Sequence, residues 1–126
     1  MRYTRVLAAL FLSSGMASAV VAAPLVMLNQ PIITQIPKAD RESFHDAVAQ
    51  SLNNSADGQR TEWTSSHQPK RQAPITVQLT PKQTSKLSND RVCRFLVGEF
   101  ARTTTTETWQ FWFCKQPDGT WKASSN

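Results

Sequence analysis

Glycine, histidine and cysteine are scarce in this chain of 126 residues, which holds four, two and two of them. Gly15, Gly58, Gly98 and Gly119 stand far apart, which excludes a glycine-rich loop for cradling phosphate. His45 and His67 have no metal-ligand spacing to each other or to Cys93 and Cys114, so no metal site is expected. Nucleophilic catalysis would need a serine or cysteine served by a histidine and an orienting carboxylate. Here His45 falls beside Phe44 and off the apolar stripe of a helix, while His67 lies in a Ser65–Pro69 loop. Glu99 and Glu107 fall on paired strands with opposite facing, which is no cleft for two-carboxylate glycoside chemistry. These absences predict a protein that is not an enzyme and takes no cofactor.

Acids are the minority charge, 9 against 14 Lys and Arg, for a net +5 at pH 7. The excess sits mid-chain, from Arg60 through Lys70, Arg71, Lys82, Lys86, Arg91 and Arg94 to Arg102. A basic surface suits an anionic envelope polymer such as lipopolysaccharide. The charges are scattered rather than clustered, which is also the pattern of a solvated surface, and no nucleic-acid partner is expected.

The first residues read as a secretory signal. Arg2 and Arg5 precede the apolar run Val6–Leu12, and Ala17-Ser18-Ala19 provides the small residues of a cleavage site after Ala19. Val20-Val21-Ala22 offers a second site, after Ala22. The alternative is a retained anchor, since no charge occurs between Arg5 and Lys38; Ser13, Ser14, Gly15 and Pro24 interrupt that stretch. A membrane is expected as a partner only if the signal is retained. No cysteine lies near either cleavage site, which leaves no point of lipid attachment. The expected product is periplasmic or secreted, in association with the outer membrane or free of it. In that oxidising setting two cysteines predict one disulfide, Cys93–Cys114.

The expected organisation is a signal over 1–19, an extended lead-in over 20–39 and one α+β domain over 40–126. Pro24, Pro31 and Pro37 break the lead-in, but Ile32, Ile33 and Ile36 are apolar enough to lie on the domain. Phe44, Ala47, Val48 and Leu52 make one stripe of a helix over Asp40–Asn53, with Asp40 as its N-cap. Four or five strands follow. Arg60–Ser65 is short, and Pro74–Thr80 alternates apolar with polar. Pro81–Asp90 is polar and reads as a loop. Arg91–Ala101 and Thr106–Lys115 are the longest strands, and Gln116-Pro117-Asp118-Gly119 turns the chain into Trp121–Ala123.

The two long strands can be registered by arithmetic. If Cys93 faces Cys114, Phe95 faces Trp112, Val97 faces Gln110, Glu99 faces Thr108 and Ala101 faces Thr106. The turn then falls inside Arg102–Thr105, where a tight hairpin needs it. Directly opposed, non-hydrogen-bonded residues also hold their α-carbons near disulfide distance. The helix stripe is expected on the face of Leu96, Phe100, Phe111 and Phe113. The opposite face carries Phe95, Val97 and Trp112 and is expected to be covered by the lead-in or to meet a partner.

Several of these residues stand in the order of a known pattern. Asp40-Arg41 opens a helix holding Ala47 and Leu52, Gly58 follows, and Trp63 lies in the first strand. Then come Val77 with Pro81, Cys93-Arg94, and Cys114-Lys115-Gln116-Pro117-Asp118-Gly119 with Trp121. This arrangement resembles the C-terminal domain of the 17 kDa surface antigen family of Gram-negative bacteria. The resemblance spans Asp40 to Trp121 and implies a helix-plus-sheet envelope protein with this disulfide and no enzymatic activity. Many members carry a lipid-attachment cysteine and a glycine-rich segment before the domain; this chain has neither.

The functional expectation is a structural or binding role in the envelope, with an envelope protein or anionic polymer as partner. The alternative is a small inhibitor or immunity-type protein that binds a hydrolase or toxin. The candidate binding surface is Arg94, Trp109, Trp112, Lys70 and Arg71, with Trp109 singled out because Gly98 opposite leaves room for its indole.

Overall fold

The structure, a computed structural model, describes residues 31–124. The expected signal, both cleavage sites and the lead-in up to Gln30 lie outside the described residues. The domain has one helix, α1 (Arg41–Asn54), and five strands: β1 (Thr61–Thr64), β2 (Thr76–Lys86), β3 (Val92–Arg102), β4 (Thr105–Lys115) and β5 (Trp121–Ala123). The strands form one antiparallel sheet in chain order, each paired with the next. The fold is α+β, as expected from the pattern of one amphipathic segment followed by alternating ones.

The expected register of the long hairpin is the observed one. Phe95 faces Trp112, Val97 faces Gln110, and Arg102 faces Thr105 across the two-residue turn Thr103–Thr104. Cys93 and Cys114 are bonded, with their α-carbons 4.0 Å apart. That close approach marks a pair that exchanges no backbone hydrogen bonds. The alternation then turns the backbone groups of Thr106, Thr108, Gln110 and Trp112 away from β3. In keeping with this, the Trp112 carbonyl accepts the Ser124 N–H at 2.7 Å.

Two expectations are corrected. The stretch 81–86 is not loop but the second half of β2, paired with β3 through a shift of register between Pro81 and Gln83. Its polar side chains misled because this half needs little burial beyond Pro81. The described part of the lead-in is not extended either: Ile32–Gln35 and Lys38–Asp40 are short 3-10 turns. Those turns bring Ile32 and Ile36 into the core on the helix side of the sheet, so the described lead-in does not cover the face of Phe95 and Trp112.

That core sits between α1 and the inner face of β1–β3. Phe44 and Leu52 of the helix meet Trp63, Ile75, Val77, Leu79, Leu96 and Phe100; Ile75 and Val77 are fully buried. Phe44 packs edge-on against the Trp63 ring at 5.1 Å, and the Trp63 indole N–H donates to Ser43 Oγ. A helix is about 10 Å across with its side chains and strands stand about 4.8 Å apart, so one helix covers two or three strands of five. Here it covers the first three.

Candidate functional site

What the helix leaves uncovered is the inner face of β4 and β5. Alternation puts Trp109, Phe111 and Phe113 of β4 on that face. They line a groove of about 670 Å³ between the sheet and α1. Leu79, Leu96, Gly98 and Phe100 form its floor, and Phe44, His45, Val48 and Ala49 its helical wall. One end is bridged by the Trp121 indole N–H donating to Asn53 Oδ1 at 2.9 Å. Near the other, the Ile32 N–H donates to Glu107 Oε2 at 2.8 Å and Ile33 closes the lining. Trp109 stacks on Phe111 with ring centres 5.6 Å apart, and Phe111 remains 39% exposed. A volume of this size, apolar with few polar groups, is that of a small-molecule or side-chain pocket.

Gly98 belongs to this site for a different reason from the expected one. A β-carbon there would lie 3.0 Å from Phe100 Cε2 and 3.7 Å from Leu79 Cδ2, so Phe100 fills the space that was expected to admit Trp109.

The residues expected to form one binding surface are not brought together. Trp109 lies on the inner face and Trp112 on the outer, where it packs against Phe95 at 5.3 Å. Lys70 and Arg71 are exposed in the loop from β1 to β2, and Arg71 adopts a φ of 75°. Arg94 is not a surface residue at all; it is 7% exposed. Its Nε donates to Thr84 Oγ1, one Nη to the Leu52 carbonyl at 2.6 Å, and the other to Asp57 Oδ1 at 2.8 Å. It thus meets the negative end of α1 and ties that end to β2. The Arg94 hydrogen bond, with one from Thr84, holds the Asp57 carboxyl below its usual pKa.

A second polar cluster went unforeseen. Asp40 occupies the N-cap position of α1, but its side chain makes no cap hydrogen bond. The carboxylate is buried and instead accepts from the Ser66 N–H and Oγ, the His67 N–H at 2.9 Å and His67 Nδ1 at 2.6 Å. Burial pushes the Asp40 pKa up, but the His67 and Ser66 hydrogen bonds together outweigh it and hold the group at about 2. Although Ser66, His67 and Asp40 share the composition of a catalytic triad, Ser66 and Asp40 both meet the same ring nitrogen. No relay runs from serine through the ring to the acid, and the cluster reads as a clasp of loop to helix.

Among the described residues, no group of three or more His, Cys, Asp and Glu could hold a metal ion. No described helix is long and apolar enough to cross a membrane. Compared with family models, with curated proteins and with solved structures, the chain matches none.

Proposed function

We propose that this is a non-enzymatic, exported envelope protein of the surface-antigen kind, working as a binding module through the groove between α1 and β4–β5. One observation carries the reading: aromatic side chains line an open trough on the face that is tightly packed two strands away. Trp109 and Phe113 are only partly buried there and Phe111 stays 39% exposed, more than packing for stability alone would leave. The ligand that fits is apolar, an acyl chain or the aliphatic side chains of another envelope protein. The scattered lysines and arginines then serve solubility and approach to an anionic surface.

Titration of the purified protein with anilinonaphthalene sulfonate, an apolar dye, tests the groove. Saturable binding at one site, abolished by Ala49→Arg in a variant that melts normally, supports the reading. No binding to the folded protein counts against it. Export is tested separately, by intact mass of protein from fractionated cells: cleavage after Ala19 or Ala22 is expected in the periplasm or medium.

A further inference from the structure

The groove has the opposite charge sense to the chain that forms it. Lys and Arg outnumber Asp and Glu by 14 to 9. Yet among the described residues that line the groove none is lysine or arginine, and one, Asp46, is a carboxylate. Six are aromatic: Phe44, Phe100, Trp109, Phe111, Phe113 and Trp121. A second carboxylate lies beside them, since Glu107 Oε2 is 3.5 Å from the Trp109 indole nitrogen. The face of an aromatic ring carries negative charge and attracts a cation, that of tryptophan most of all. One ring of the set already holds a cation: the Lys115 ammonium stands over Trp121, 5.9 Å from the ring centre.

We propose that the groove takes an apolar ligand carrying a quaternary ammonium group, with the cation held at Trp109 and Phe111. This rests on the groove reading and adds the charge of its ligand. The cation belongs at that end. Asp46 stands seven residues before Asn53, so it lies about 10 Å along α1 from the Trp121 bridge, where Lys115 sits. Strand β5 pairs with β4 only at Phe113, Cys114 and Lys115. Among the described residues no strand lies beside Thr105 to Phe111, which leaves the groove open at the sheet edge where these two rings stand.

Hydrogen bonding separates a quaternary ammonium from a primary one. A lysine-type ammonium brings three N–H donors and needs acceptors for them. The acceptors at the groove's ends are engaged: Asn53 Oδ1 takes the Trp121 indole N–H, and Glu107 Oε2 takes the Ile32 N–H. A trimethylammonium group has no donor to satisfy. It asks only for ring faces and a nearby negative charge, which Trp109, Phe111 and Asp46 supply. A carboxylate or phosphate headgroup would meet Asp46 and Glu107 and no cation in the lining.

NMR titration of the purified protein, followed at the Trp109 indole N–H, tests this with four probes that share one alkyl chain: octyltrimethylammonium, octylammonium, octanol and octanoate. The trimethylammonium probe is expected to bind about tenfold tighter than octanol and tighter than octylammonium, with octanoate weakest. The chain's net positive charge acts in the opposite sense and favours octanoate, so this order reports the groove. Asp46→Lys and, separately, Phe111→Leu should each pull the ratio of trimethylammonium to octanol affinity towards one. Octanol binding as tightly as the trimethylammonium probe overturns the proposal and leaves the apolar groove standing. Octylammonium binding tightest also overturns it and assigns the groove to a lysine side chain. A preference unchanged in both variants overturns it too, because the cation then sits elsewhere. If no probe shifts the Trp109 signal, the proposal and the groove reading fall together.

Discussion

The inner face of the sheet is two surfaces. Over β1–β3 it is a sealed core, with Ile75 and Val77 at 0% exposure and Phe44 wedged against Trp63 and Phe100. Over β4–β5 the same alternation of side chains leaves the rings only partly buried, with Phe111 the most exposed at 39%. Residue type does not separate the halves, since both are rich in aromatics. The reach of one 14-residue helix does. The edges repeat the contrast. The open half of β2 carries Pro81, a bulge, Lys82 and Lys86, and its Pro81 carbonyl accepts the Gly58 N–H. The open stretch of β4 carries no such guard.

Substitutions should separate the halves by the size of their effect. Phe100→Ala, where the sealed half passes into the groove floor and the ring is 3% exposed, is expected to destabilise by about 3–5 kcal/mol, read from denaturant melts, and to leave a protein close to unfolding. If it costs no more than a surface change, the sealed half is not the core. Replacing both Cys93 and Cys114 by alanine, next to the open half, should cost ~3 kcal/mol by the same measurement.

Asp40→Asn, which loosens the clasp over the sealed half, should cost about 2 kcal/mol at neutral pH. The native protein has a further signature. The Asp40 pKa is about 2 in the folded chain against an ordinary 3.8, so its contribution is complete above pH 3.8 and is lost as pH falls towards 2. Melts of the Asn variant should lack that part of the acid sensitivity. Smallest of all, Phe111→Ser in the open half should change stability by about 1 kcal/mol or less. A loss as large as that of Phe100→Ala would mean that the groove is core after all.

The long hairpin was legible because its information is local: two cysteines, an aromatic pair and a run of threonines agree on one alignment by counting. The second half of β2 was not, because a strand exposed on one edge and kinked at Pro81 has the composition of a loop. Arg94 looked like surface because it is charged. Its burial depends on helix carbonyls 42 residues earlier in the chain, which no local pattern reveals. Asp40 had the position of a helix cap, but Ser66 and His67, which compete for its oxygens, arrive from 26 and 27 residues away. The groove was invisible for a similar reason: its mouth is a gap left by a helix, and counting apolar positions finds the faces of strands but not the width of what lies over them.

The strand order has a kinetic consequence. In a meander each strand meets the one made just before or after it, so the cysteines, 21 residues apart, are brought together by a single local hairpin. Hairpins close in about 1–10 μs, whereas thiols oxidise over seconds or longer. A lone hairpin is marginal in water, so it closes and opens many times before an oxidant reaches the thiols. Helix docking, which spans distant parts of the chain, can come before or after the bond without changing which sulfurs are joined.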